Sequence, residues 1–578
     1  MGRKTRRESR RVDGYAPIED YAAIGDGETV ALVANDGSID WLCLPRHDSE
    51  PAFGALLDAG AGGSFELRPV DRFETERRYL GSSNVLETTF HTAGGCVRVS
   101  DAMTLHDGAR LPWRELVRRV EGVSGKVPMR WRASGCEHGP AGSWSVLTWD
   151  AGDGDRFEVS AGSSALFALV DPGACPCPRP TREEIERRLD GTLESWRRWV
   201  GSHTYDGPWA GAVERSLLAL KLLICSATGA IVAAPTTSLP ERIDGDRNWD
   251  YRYSWPRDSC WTIQSLIRLG FREQAHASLA WLLRAVRETH PDVDPIYELD
   301  GTVLRRCEEL DWPGYRDSRP VRVGNQAGDQ LQLGGYGDLL ATASAYVSEG
   351  NLLDGDSARL LAEVADHVCE RWREDDSGIW ELPERESFTQ SKIACWTALQ
   401  RALELVEVGQ LPDDAAGRWR ESIAEIEAYV DDCCWSEERQ SYLQAAGSSK
   451  LDAADLLCSR RGYGDVNRER VEATIEAVRR ELGRGVLLYR YSGQDTEEGC
   501  FVACSFWLVE ALAELGRVDE AAELMEEALA FANDVGLFAE EIEPSTGEFL
   551  GNFPQGLSHL SVIRAAVAVA EAQTGNTG

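Results

Sequence analysis

Phe501-Val-Ala-Cys-Ser-Phe-Trp-Leu-Val-Glu-Ala-Leu-Ala-Glu-Leu515, then Gly516-Arg517, then Val518-Asp-Glu-Ala-Ala-Glu-Leu-Met-Glu-Glu-Ala-Leu-Ala-Phe-Ala532 is the stretch on which the fold turns. Helical periodicity runs through both arms, and the turn Leu515-Gly-Arg-Val between them is short. The same pattern predicts helices over 210–225, 258–269, 272–289, 338–347, 357–372, 387–408, 414–434, 468–480 and 556–572. These Ala-, Leu- and Glu-rich helices come in successive pairs. Short turns join them on one side, and long connections rich in Trp, Tyr, Arg, Asp and Glu join them on the other. Such pairing suggests an α/α toroid with a site in its mouth; from periodicity alone a helical solenoid competes.

Upstream the signals change. From about Tyr15 to Gly173 short extended runs such as Ala31-Leu-Val-Ala, Asp40-Trp-Leu-Cys-Leu and Val85-Leu-Glu-Thr-Thr-Phe alternate with turn dipeptides. Asp36-Gly37, Gly94-Gly95, Asp107-Gly108 and Asp153-Gly154 are of the kind that closes hairpins. Met129-Arg-Trp-Arg-Ala alternates as a half-buried strand does, and Phe157-Glu-Val-Ser and Ala165-Leu-Phe-Ala-Leu-Val continue the series. The region reads as an antiparallel β-sandwich. Asp171-Pro-Gly-Ala-Cys-Pro-Cys-Pro-Arg-Pro is a proline-dense linker, and Thr181-Arg-Glu-Glu opens an amphipathic helix over 183–200 as a capping box. The expected division is a basic tail 1–14, a β-sandwich 15–173, a linker with a bridging helix 174–206, and a helical domain 207–578.

At 578 residues two or more domains are expected. A net charge of −35 argues against nucleic acid and anionic membranes as partners. Residues 1–12 are basic and polar without a following apolar run, and no later run reaches the length of a membrane span. The 15 cysteines are scattered. Cys175-Pro-Cys177 and Cys433-Cys434 lack zinc spacing, so reduced thiols in a cytoplasmic protein and no structural metal are expected.

The chemistry is concentrated in the long connections. Arg247-Asn-Trp-Asp-Tyr-Arg-Tyr-Ser-Trp-Pro-Arg-Asp258 packs three arginines, two aspartates and four aromatics together. Flat rings beside paired Arg and Asp suit a sugar, with its apolar face and rim of hydroxyls. The structural alternative is a buried loop tied by Arg–Asp pairs. Asp258 also stands where a helix cap belongs. In Gly378-Ile-Trp-Glu381 a carboxyl follows an indole, and the desolvation this implies favours a general acid. The alternative is a first-turn glutamate, a role open to Glu384 and Glu386. Leu537-Phe-Ala-Glu-Glu541, followed by Gly551-Asn-Phe-Pro-Gln555, is either a sugar-site lining or a solvated helix end. Arg490, between Tyr489 and Tyr491 and ahead of Glu497-Glu498, suits hydroxyl binding or a surface ion pair equally. Asp329-Gln-Leu-Gln-Leu-Gly-Gly-Tyr-Gly-Asp338 is a cap or a subsite wall. No phosphate-cradling glycine loop, histidine metal pair or serine elbow is present.

Taken in order, these motifs resemble glycoside hydrolase family 15, which holds glucoamylases, glucodextranases and some trehalases. The resemblance runs from about Tyr15 to Ala572 and includes the opening Ile18-Glu-Asp-Tyr-Ala-Ala-Ile-Gly-Asp. It implies a β-supersandwich followed by an (α/α)6 barrel. It also implies that Glu381 is the general acid and Glu540 the general base, with Glu541 one alignment step away and Glu384 in reserve. Tyr251, Trp255, Arg257, Asp258, Trp380 and Arg490 then line the terminal-glucose subsite. Leu557, after Gly556, stands where relatives often carry a larger aromatic. An inverting pair acts from opposite faces of the sugar, with carboxyls about 6.5–9.5 Å apart, and needs no metal or cofactor. The expected activity is release of β-glucose from the non-reducing ends of α-glucans or maltooligosaccharides. Trehalose hydrolysis on the same pair is the alternative, and a non-catalytic sugar-binding protein is a third reading.

Overall fold

A computed structural model describes residues 6–8, 10–106, 109–138, 144–152, 154–173 and 179–575. The turn Asp107-Gly108, Asp153 of the turn Asp153-Gly154, and Cys175 and Cys177 of the linker lie outside the described residues. Twelve of the strands between Tyr21 and Asp171 form one antiparallel sheet. Its hinge is the 21-residue strand Arg114–Ser134. The first part of that strand pairs with Gly95–Met103 and Ser164–Asp171, and the second with Ser64–Pro69 and Arg156–Ser160. The register shifts between Gly122 and Ser124, where a bulge lets one strand serve both layers. Met129-Arg-Trp-Arg-Ala is therefore the far half of this long strand. Phe65, from one layer, meets Phe167, from the other, at 6.4 Å between centroids. The expected sandwich is thus one sheet folded over a shared strand.

The bridging helix α1, Arg182–Val200, begins with the expected capping box: Thr181 Oγ1 accepts from Glu184 N, and Glu184 Oε2 accepts from Thr181 N. Arg188 and Thr192 of this helix bond Glu115 of the sheet and Leu105 of a short separate strand, Leu105–His106. The following helices are α2 (Ala210–Leu223), α3 (Pro256–Arg268), α4 (Arg272–Arg287), α5 (Gly334–Ser348), α6 (Gly355–Arg371) and α7 (Thr389–Glu407). After them come α8 (Ala416–Tyr429), α9 (Arg468–Leu482), α10 (Val502–Glu514), α11 (Val518–Leu529) and α12 (Gly556–Gly575). Packing runs α3–α5–α7, then through a 3-10 turn Ala453–Cys458 to α10, α12 and back to α3. The helices form a closed six-hairpin toroid, and the solenoid reading falls. One inner position is filled by that six-residue turn, which helical periodicity is too long a ruler to detect. Among the described residues no helix is long and apolar enough to cross a membrane.

The connections entering the inner elements converge at one end of the toroid. The N-terminal domain buttresses the first of them: Trp41 Nε1 donates to Pro235 O (2.8 Å) and Arg252 Nη1 donates to Ser49 O (2.9 Å).

Candidate active site

At this end lies a cleft of about 390 Å³. Tyr251, Trp255, Arg257, Asp258, Trp380, Glu381 and Arg490 all line it, although they come from separate connections. Glu540 sits behind Tyr251, only 1% exposed. All eight expected site residues are therefore gathered, but their roles differ.

Trp255 is the N-cap of α3 and Pro256 its first residue, so Asp258 lies inside the first turn and not at the cap. Proline takes the first helical position because it has no N–H to leave orphaned and its φ is already helical. Asp258 instead pairs with Arg257 Nε at 3.4 Å, and burial pushes its carboxyl upward against that attraction. Arg257 also donates Nη1 to Ile379 O (2.8 Å) and Nη2 to Glu381 Oε1 (3.5 Å). Trp255 Nε1 donates to the same oxygen at 2.7 Å. Glu381 Oε2 has no partner among the described residues. Glu381 carries a φ of +60°, a left-handed conformation costly for a residue with a Cβ. Gln330 Nε2 holds its carbonyl at 2.9 Å. Glu384, the reserve acid, is exposed and does not line the cleft.

Across the cleft, Tyr251 OH donates to Glu540 Oε1 (2.6 Å) and Asn552 N donates to Oε2 (3.0 Å). Burial, then the charge of Glu241, pushes the Glu540 carboxyl up to about 8 against these two bonds. Glu541 faces elsewhere. Its Oε2 accepts from Gly499 N (2.9 Å) and its Oε1 lies 3.7 Å from Arg490 Nη2.

Arg490 is held more tightly than a free substrate ligand. Its Nε donates to Glu498 Oε1 (2.7 Å) and its Nη2 donates to Glu241 Oε2 (2.6 Å) and to Glu498 Oε2. Arg490 is thus an ion-pair partner, buried and not on the surface as that alternative had it, and it lines the cleft as well. Glu241, Glu498 and Glu541 are the one carboxylate trio among the described residues spaced for a cation, with ligand oxygens within 4.8 Å. Arg490 and Arg247 already supply positive charge there. Trp380 Nε1 donates to Asp452 Oδ1 (2.8 Å), which fixes the indole plane beside Glu381.

Part of the 247–258 run is structural after all. Asp250 and Arg252 form a buried pair at 2.8 and 2.7 Å, and Asp250 Oδ2 also accepts from Gly324 N. Sequence reasoning missed Glu241, Asp452 and Arg322, which act from distant connections. It also missed the cradle at Gly551, whose φ of +69° and absent Cβ let Glu540 approach.

A toroid whose mouth presents one carboxyl among tryptophan, tyrosine and arginine, with a second held behind the tyrosine, defines a glycoside hydrolase of the six-hairpin class. The comparisons with known proteins agree. The model of glycosyl hydrolases family 15 matches residues 207–567, and that of a trehalase-like N-terminal domain matches 4–130. The chain belongs to glycoside hydrolase family 15. It is 35% identical to a trehalase of Mycolicibacterium smegmatis, over 97% of this chain and 92% of that one. It is 32% identical to a trehalase of Thermoplasma volcanium, over 97% and 95%. A bacterial glucoamylase solved with acarbose shares the fold at a TM-score of 0.67, with 12% identity, covering 99% of this chain and 96% of that one.

Proposed function

We propose that the protein is an inverting trehalase, with Glu381 as general acid and Glu540 as general base. The observation that carries the substrate is likeness to trehalases along nearly the whole chain, the N-terminal part included. The two readings of the sequence therefore exchange places, and release of glucose from α-glucan ends becomes the second. The division 15–173, 174–206 and 207–578 goes with this proposal.

The geometry supports the division of labour between the carboxyls. Glu381 Oε1 is occupied by Trp255 and Arg257. A proton on this carboxyl therefore belongs on the unpartnered Oε2, from which it passes to the glycosidic oxygen as the C–O bond breaks. Glu540 receives a proton from the attacking water. Tyr251, bonded to it, fixes its orientation and lies beside the anomeric carbon where positive charge develops. Arg257 and Asp258 grip hydroxyls and set the sugar's register. Glu541 is tied to Gly499 and Arg490, whereas Glu540 is bonded to Tyr251, which lines the cleft; this favours Glu540 over its neighbour.

Both anomeric carbons of trehalose are α. Inversion at one of them yields one β-glucose from the attacked ring and one α-glucose from the leaving ring. NMR of the first turnovers tests this: equimolar α- and β-glucose supports the proposal, and α-glucose alone overturns the inverting pair. Release of β-glucose from maltoheptaose with none from trehalose overturns the substrate and keeps the mechanism.

A further inference from the structure

The cleft has two unlike ends. At the inner end Trp255, Asp258, Arg490 and Phe501 are buried. At the outer end Asp246 and Gln326 are exposed, and Trp249 and Arg322 are half-buried. Asp246 and Arg322 also line an open depression of about 530 Å³ that continues outward.

The outer wall is built. The Arg322 guanidinium stacks 4.5 Å from the Trp249 ring centroid. Its Nη1 donates to the carbonyls of Asp246 (3.0 Å) and Asn248 (2.9 Å). The backbone at Arg322 is tied as well: its N donates to Ser238 Oγ (2.8 Å) and its carbonyl accepts from Thr237 Oγ1 (2.8 Å). Arg322 belongs to a hairpin of strands Cys307–Leu310 and Val321–Gly324. The loop joining these strands rests on the N-terminal domain, where Tyr315 OH donates to Ala16 O (3.1 Å) and Trp312 lies 4.6 Å from the His138 ring. One domain thus stiffens a wall of the other's cleft.

We propose that this rim is the subsite for the leaving sugar. The Trp249 indole is its plate, the Asp246 carboxylate accepts from sugar hydroxyls, and Arg322 is the positioning residue that fixes both. The inference rests on the catalytic reading above, because an acid and base that cleave a terminal glucosyl unit put that unit at the closed end. The second ring then points to the open end. An indole gives an apolar face to a pyranose, and an exposed carboxylate without a salt-bridge partner among the described residues keeps its acceptor capacity for hydroxyls.

The test compares trehalose with α-glucosyl fluoride, whose leaving group is too small to reach the rim. In Asp246→Ala and in Trp249→Ala, kcat/KM for trehalose should fall about ten- to hundredfold while that for the fluoride changes less than about threefold. Arg322→Ala should match Trp249→Ala, and the double variant should lose little more than either single one, since the two act as a unit. Parallel loss on both substrates, or no loss on either, overturns the proposal. Asp246 is exposed, so its variant keeps the test alive if Trp249→Ala does not fold. A wild-type enzyme that cleaves the fluoride and maltose but not trehalose sinks the trehalase reading alone. The same ratio measured with maltose then decides the rim.

Discussion

Gly551→Ala is the substitution that separates a positioned carboxylate from mere proximity. A Cβ built at Gly551 falls 2.4 Å from Glu540 Oε2, 2.6 Å from its Cβ and 3.0 Å from its Cδ. Ordinary contact begins at 3.4 Å, so the carboxylate must retreat by about 1 Å. That shift breaks the bond from Asn552 N and drags Glu540 from Tyr251. A displacement of this size at a catalytic group costs about 100-fold in rate. The substitution carries a second cost, because φ is +69° there and a side chain in that region loses about 1–2 kcal/mol. Gly547→Ala isolates this backbone cost: φ is +77° and nothing lies within 4 Å of its added Cβ. Both variants should therefore unfold at reduced denaturant midpoints, Gly551→Ala the lower by the roughly 1–3 kcal/mol that overpacking adds. Only Gly551→Ala should lose about 100-fold in kcat/KM on trehalose. Activity in Gly551→Ala within a few-fold of Gly547→Ala would refute the cradle and, with it, the fixed position of Glu540.

The other predictions concern the carboxyls and their donors. Glu381→Gln should lower kcat on trehalose by about 10³-fold but hydrolysis of α-glucosyl fluoride far less, since fluoride leaves without protonation; equal losses count against an acid role. Glu540→Gln should abolish turnover with a nearly native melting curve. Glu541→Gln, which disturbs the buried Arg490 cluster, should act mainly on stability, and steady-state rates beside thermal melts separate the two. Tyr251→Phe removes a bond that stabilises the Glu540 carboxylate and so raises its proton affinity by about tenfold. The base works ionised, so the acidic limb of the kcat/KM profile should move to higher pH in this variant; an unmoved limb takes Glu540 out of that role.

How much was legible in the sequence depended on the range of the signal. Long helices such as α7 and α10 repeat their pattern over several turns, and α1 shows its capping box within four residues. These are local signals, and they were read within a few residues of their ends. The inner turn Ala453–Cys458 was not, because six buried residues hold too little periodicity to stand out from a loop. Glu381 and Tyr251 stand in two separate runs where aromatic and charged residues adjoin, 378–381 and 247–258, and Tyr251 was singled out within its run only by the family resemblance. By itself the sequence determined the class of the long elements, the order of the two domains and the residue types available to the cleft. The tertiary structure decided which charges serve the cleft and which hold the scaffold. Asp250 and Arg252 are adjacent in sequence to cleft residues but turn toward Ser49 and Gly324, while Glu241 and Arg490 meet across 249 positions. It also set Glu540 apart from Glu541: Glu540, just ahead of the short strand Glu541–Ile542, meets Tyr251 and Asn552, while Glu541 meets Gly499 and Arg490, and no local pattern names those partners.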